Sequence, residues 1–196
     1  TIGQEAFTSC SKLTRVEMLC EMPPGTRYPL FEGCPCIAAG KKGILVPVGK
    51  VETYATAEGW SRYTSHITDG TPEITAQPAD CIAKNGGKAT FSVTAEGEEP
   101  ITYRWQVDKN DANGFVDIEN ADSATYTISV ADKNCDGYKY RCVIANERGS
   151  VTSRQAMLTV TDSDAEKVEA AKRIVEETLE GITATNDTAK EDIQRA

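Results

Sequence analysis

Histidine is almost missing from this 196-residue chain, with His66 as its sole example, and tryptophan occurs twice and methionine three times. A serine or cysteine hydrolase needs a general base held beside its nucleophile, and His66 has no such neighbour in sequence. Zinc needs clustered ligands. Cys34-Pro35-Cys36 is not a CxxC pair and lacks a second half-site, so no metal ligands are expected. Positive charge is in deficit: 21 Lys and Arg face 30 Asp and Glu, for a net charge of -9. With a pI near 4.8 and no local basic patch, neither nucleic acid nor an anionic membrane surface is expected as a partner. No apolar run approaches the roughly 20 residues of a membrane span. No charged segment followed by an apolar core opens the chain, so any secretion signal is expected outside this sequence. A glycine-rich phosphate loop is also missing, since Gly40-Lys41-Lys42-Gly43 has neither the spacing nor the setting of one. The acidic residues offer no cleft-forming pair of the glycosidase type. Expected catalytic, cofactor-binding and metal residues are therefore none, and no cofactor is implied.

What the chain does have is an internal repeat over residues 1–67. At an offset of 24, Ala6 matches Leu30, Phe7 matches Phe31, Cys10 matches Cys34 and Leu13 matches Ile37. Each copy leads into a short apolar run, Val16 to Leu19 and then Ile44-Leu45-Val46, which reads as a strand. A period of this length is that of a solenoid, whose units bury their apolar faces against each other. Tyr54, Ala55, Ala57, Trp60 and Tyr63 then recur at helix-like spacings, interrupted by Gly59.

The segment beginning Ile2-Gly3-Gln4-Glu5-Ala6-Phe7 resembles the BspA-like class of bacterial leucine-rich repeats, with its Ile-Gly-x-x-Ala-Phe-x-x-Cys-x-x-Leu pattern. Val46-Pro47, Tyr54, Trp60, Tyr63 and Ile67 resemble the segment that closes such arrays, where a short helix lays aromatics over the last repeat. The resemblance implies that Cys10 and Cys34 point into the repeat core, where thiols are inert. Thr68-Asp69-Gly70-Thr71-Pro72 has turn chemistry and no apolar period, and it is expected to be the linker.

From Pro72 to Thr161 the period changes to two. Ala89-Phe91-Val93-Ala95, Tyr103-Trp105-Val107, Tyr126-Ile128-Val130 and Tyr138-Tyr140-Cys142-Ile144 alternate, and Leu158 and Val160 alternate with Met157 and Thr159. Turn signals separate the runs at Asn85-Gly86-Gly87, Gly97-Glu98-Glu99-Pro100, Asn113-Gly114, Asp136-Gly137 and Arg148-Gly149-Ser150. That spacing predicts a sandwich. It also resembles an immunoglobulin-like domain: Trp105 lies 12 residues after Val93, Tyr140 two before Cys142, and Asp136 six before it. Val93 stands where the first cysteine of antibody domains would be, so the inter-sheet disulfide cannot form. The topology implied by the resemblance brings Cys81 and Cys135 to one end, either as a disulfide or as two free thiols.

After Thr161 a helix of about four turns is predicted, capped by Asp162, Ser163 or Asp164. It carries Val168, Ala171, Val175 and Leu179 on one stripe and ends at Gly181; a second start follows at Asn186 or Asp187. Two loops have oxygen ligands at alternate positions. Asp132, Asn134, Asp136 and Gly137 resemble half an EF-hand loop, with Val143 where the bidentate glutamate belongs. Asp108, Asn110, Asp111, Asn113 and Glu119 form the other, with Gly114 one place late. Both read better as structural turns.

The expected architecture is mainly β: a short leucine-rich-repeat solenoid end with cap helix (1–67), a linker (68–72), an immunoglobulin-like β-sandwich (73–161) and a C-terminal helix, the start of a linker or next domain (162–196). The resemblance implies a secreted, non-catalytic module at a bacterial cell surface that binds a host or extracellular protein or glycan through the repeats; the oligomeric state is left open, with a monomer favoured. The alternatives are a purely structural stalk and an accessory module of a larger secreted enzyme. A binding face for sugar or peptide should leave Trp60, Tyr63 or Tyr28 exposed, whereas a spacer should bury them.

Overall fold

The computed structural model describes residues 2–3, 5–26, 29–162, 164 and 166–179. Two compact units divide the chain. Thr1–Glu73 with Glu96–Ile101 and Ala145–Val151 make the first, and Ile74–Ala95, Thr102–Ile144 and Thr152–Ala196 the second.

In the first unit, β1 (Val16–Glu17), β2 (Ile44–Leu45) and β3 (Ile67–Thr68) form a parallel sheet in that order. Its register sets Val16 beside Ile44 and Ile44 beside Ile67. The strands are shorter than the apolar runs predict, and the reason is covalent. Continuing the register would bring Leu19 opposite Pro47, which has no amide to donate. Leu19 accordingly leaves the ladder and is 85% exposed. Gly43 enters β2 where a Cβ would collide with the Cys36 carbonyl, so only glycine fits.

The expected cap helix is two pieces, α1 (Val51–Thr56) and a 3-10 helix (Ser61–His66). Gly59 separates them at φ 82°, and a Cβ there would run into the Thr26 carbonyl. Two independent constraints therefore select glycine. The packing follows the repeat: Phe7 stacks on Phe31 with centroids 5.4 Å apart, and Trp60 and Tyr63 cover Phe31 from 6.2 and 5.3 Å. Leu30, Phe31, Ile44, Val46, Tyr54 and Trp60 are at most 1% exposed. Cys34 is buried but Cys10 is exposed. The expected inward Cys10 is thus corrected, because among the described residues Leu13, Val16 and Phe7 are themselves only partly covered.

The second unit contains two strand pairs and one larger assembly. β4 (Glu73–Ala76) pairs with β7 (Thr94–Glu96), and β6 (Ala89–Ser92) pairs with β10 (Thr125–Ile128). The other assembly runs β5 (Cys81–Lys84), β13 (Ala156–Thr161), β11 (Lys139–Asn146), β8 (Thr102–Asp108), β9 (Phe115–Asp117), with β12 (Gly149–Thr152) also on β11. Alternation predicts the inward set: Phe91, Val93, Trp105, Val107, Tyr140, Cys142, Ile144, Leu158 and Val160 are all buried. Trp105 donates its indole N–H to Ser123 O at 2.9 Å, satisfying the one polar group it carries inward. Two runs depart from the pattern. The first breaks at Val93, whose amide bonds Ala124 O at 3.0 Å. The third stops at Ile128, leaving Val130 66% exposed where the chain turns to pair Ala131 with Gly86 and Gly87.

A helix covers 166–179. Its stripe is not its contact face: Val168, Val175 and Leu179 are 56–57% exposed while Ala170 is 3% exposed. At its entry Glu166 accepts the Asp162 amide, and Asp164 and Asp162 pair with Lys84 and Lys133. The expected stop at Gly181 and restart at Asn186 and Asp187 lie outside the described residues. Among the described residues no helix is long and apolar enough to cross a membrane.

Candidate functional site

The residues most suspected of recognition are packed as core. Trp60 is fully buried and Tyr63 is 4% exposed. Each also spends its polar atom inward. Trp60 donates to Pro24 O at 2.9 Å, the Tyr63 hydroxyl accepts from Leu30 N at 2.7 Å, and Tyr54 donates to Cys20 O at 2.6 Å. Burial pushes the Tyr54 hydroxyl far above its ordinary range. Tyr28, the third candidate, lies outside the described residues.

A polar cluster in the first unit is the feature that sequence reading missed. Glu98 pairs with both Arg15 and Arg148, and Arg148 reaches Glu17 at 2.5 Å. Asn146 donates to Gly70 O at 2.7 Å and to Glu98 O at 2.8 Å. The Glu98 amide also donates to Gly70 O at 2.9 Å. Gly70 sits at φ 76°, in the left-handed region that favours glycine, and a Cβ there would lie 2.8 Å from the Arg148 Cδ. The Arg15 guanidinium, with Arg148 beside it, holds the Glu98 carboxyl below the usual carboxylate range. Two cations and two anions are mutually paired, and the hollow beside them is lined by Glu98, Glu99, Asn146, Glu147 and Arg148. Residues 68–72 are held on both sides of this cluster. Thr68 closes β3. The Asp69 carboxylate accepts from Gly49 N at 3.0 Å and from the Thr71 amide and hydroxyl at 3.1 and 2.7 Å. Burial raises the Asp69 pKa, but these donors outweigh it and leave the group below its ordinary value.

The two calcium-like loops spend carboxylates on backbone amides. Asp132 accepts from Asn134 N at 2.7 Å and Asp136 from Val160 N at 2.8 Å. Asp108 accepts from Asn110 N at 2.8 Å and Asp111 from Asn113 N at 2.9 Å. Asn110, at φ 58°, ties this loop to Gly137 O. Among the described residues no three His, Cys, Asp or Glu side chains are grouped to hold a metal.

Cys81 and Cys135 are separate thiols, which decides between the two readings of that pair. Cys81 opens β5 opposite Leu158, and Cys135 ends a 3-10 turn bonded to Asp132 O. Burial pushes the Cys142 thiol up to about 11. Burial, then the neighbouring Cys34, also raises Cys36. Neither is a thiolate nucleophile at neutral pH. His66 is half-buried and its Nδ1 donates to Lys41 O at 2.8 Å, bracing the loop before β2. Outside these, a ladder crosses β8, β9 and β11. Arg141 lies 4.0 Å over the Phe115 ring and donates to Gln106, which donates to Asp117.

The two sheets packed around Trp105, with Tyr140 two residues before a buried Cys142, define an immunoglobulin-like sandwich. Residues 72–160 match the Immunoglobulin I-set domain family, and this part of the chain is an immunoglobulin-like I-set module. The chain is 39% identical over 89 residues to Endoglucanase C of Cellulomonas fimi, a match covering 45% of this chain and 8% of that protein. It is 31% identical over 102 residues to Leucine-rich repeats and immunoglobulin-like domains protein 3 of Mus musculus, covering 45% of this chain and 9% of that one. The chain therefore spans less than a tenth of the length of either relative. Among solved structures it is similar to Sidekick-1 immunoglobulin domains 1-5, at 24% identity and a TM-score of 0.38, covering 48% of this chain and 20% of that one. Tandem Ig repeats of Dlar are similar at 24% identity and a TM-score of 0.39, covering 47% and 49%.

Proposed function

We propose that this chain is a non-catalytic architectural segment of an extracellular, modular bacterial cell-surface protein. In this reading the first unit is the closing end of a leucine-rich-repeat array, and the I-set module is a spacer. The observation that carries it is the burial of the aromatics a recognition face would display, with Trp60 at 0% and Tyr63 at 4% exposure. Their polar atoms are bonded to the backbone of their own unit, which makes them cap residues. The relatives support the modular part, since each is far longer than the stretch it shares with this chain.

The adhesion reading makes the opposite demand on the same residues. A test is binding of the whole chain to an array of matrix proteins, glycans and crystalline cellulose. No saturable binding is expected. Saturable binding to any of them, lost when surface residues of the repeats are changed, would overturn the spacer reading. The accessory-module reading is favoured by the identity with a protein named an endoglucanase, and saturable binding to the cellulose arm alone would select it.

A further inference from the structure

The polar cluster of the first unit joins stretches of chain that are far apart in sequence. Glu98, in the segment Glu96–Ile101, pairs with Arg15 just ahead of β1 and with Arg148. Arg148, in the segment Ala145–Val151, pairs in addition with Glu17 of β1 at 2.5 Å. These contacts span 83, 50 and 131 residues, and all of them lie within the first unit. Gly70-Thr71-Pro72 runs beneath them. A Cβ on Gly97 would lie 3.1 Å from the Pro72 Cα, and one on Gly149 would lie 3.3 Å from the Thr71 Cγ2.

Each turn is closed by a residue other than the one that fastens it. The Asn146 side-chain oxygen accepts from the amides of Arg148 and Gly149 at 2.9 and 3.1 Å, which closes the turn and leaves the Arg148 guanidinium for its two carboxylates. The Glu99 carboxylate accepts from the Ile101 amide at 2.8 Å, which closes the other turn and leaves the Glu98 carboxylate for its two arginines. Exposure follows the same division, with Glu98 and Arg148 half-buried and Glu99 and Glu147 exposed.

We propose that Glu98 and Arg148 form an ionic clasp that straps both turns over residues 70–72, and that salt opens it and uncovers the Arg148–Gly149 bond. Ion pairs near a surface contribute little one by one, but here each central group serves two partners, so several such terms act together. The Arg148 and Glu98 side chains are still 22% and 25% exposed, so mobile ions reach them, and at 1 M salt screening acts within about 3 Å. The hydrogen bonds of Asn146 and Glu99 lie inside their own turns, which therefore keep their shape when the clasp lets go. The inference goes beyond the spacer reading and does not depend on it.

The test uses the whole chain, trypsin at pH 8, and mass spectrometry to follow cleavage at Arg148–Gly149 relative to Lys109–Asn110, an exposed bond outside the cluster. When opening and closing are fast, cleavage tracks the population of the open form. Raising NaCl from about 0.05 M to about 1 M is expected to raise the relative rate about fivefold in the unaltered chain. Glu98→Gln is expected to give a rise of about the same size at low salt and to remove most of the salt response, and Glu17→Gln, which takes away one pair only, to give a smaller rise. An unchanged relative rate in Glu98→Gln overturns the proposal, as does equal acceleration at Lys109. Loss of the folded Trp60 indole resonance in Glu98→Gln overturns it too, since the cluster would then hold the whole unit and not two turns. Saturable binding in the ligand array would sink the spacer reading and leave these rates as they are.

Discussion

Replacing Phe31 by alanine is expected to unfold most of the first unit while sparing the second. Phe31 is fully buried and meets three rings, Phe7, Trp60 and Tyr63, at 5.3–6.2 Å. Truncating such a residue costs about 3–5 kcal/mol, the lost transfer energy plus the cavity left among rings that cannot collapse freely. A unit this small is held by roughly 0.05–0.15 kcal/mol per residue, so the loss is a large share of its stability. With a urea slope of about 1 kcal/mol/M, the midpoint falls by about 3 M. The molecule carries its own reporters, since each unit has one tryptophan whose indole N–H is bonded to a carbonyl, Trp60 to Pro24 and Trp105 to Ser123. A urea titration followed by the two indole resonances reads the units separately. The Trp60 midpoint is expected to drop by about 3 M and that of Trp105 by less than about 0.5 M. A drop of under about 1 M at Trp60, or equal drops at both, would refute the view that Phe31 is the centre of a separate core.

Gly59→Ala should destabilise the first unit by about 2 kcal/mol or more, from left-handed strain together with the Thr26 carbonyl, as thermal melting would show. With a thiol reagent at pH 8, Cys10 and Cys20 should react at once, whereas Cys34, Cys36 and Cys142 should react only on unfolding; mapping the labelled peptides checks this. The Cys142 thiol is raised in the folded state to about 11 from 9.0, so the folded chain holds its proton longer than the unfolded one. Stability should be unaffected below pH 9 and decline between about 9 and 11, and Cys142→Val should remove that component. Glu98 is displaced the other way. Its contribution is present above the ordinary carboxylate range and fades as pH falls below it, so Glu98→Gln should flatten the acid limb of the first unit's stability. The partners are partly exposed, which limits the effect to about 1 kcal/mol, smaller still in high salt.

The sandwich was legible because alternation maps directly onto burial: Tyr140, Cys142 and Ile144 are inward as every second residue of β11. Where it misled, a turn intervened within the run, as at Val130. The helix stripe misled for a different reason. Periodicity finds an apolar face but not which side a helix turns inward, and here the covered side carries Ala170. The polar cluster had no local signature at all. Arg15 and Glu98 lie 83 residues apart, and Glu17 and Arg148 lie 131 apart. Gly97-Glu98-Glu99-Pro100 and Arg148-Gly149-Ser150 were visible only as turns.

The sequence by itself determined what depends on neighbours along the chain: the 24-residue repeat and its matched phenylalanines, the period-two strands, and the glycine that interrupts the aromatic run after Tyr54. Each is a matter of spacing, and spacing is covalent. Tertiary structure alone decided which apolar residues are covered. Phe7 and Phe31 occupy the same place in the repeat, yet only Phe31 is enclosed, because burial requires atoms on both sides and those on the second side come from Trp60 and Tyr63. It likewise decided that Trp60 and Tyr63 serve as core, since an aromatic's role depends on what its ring and its polar atom find nearby.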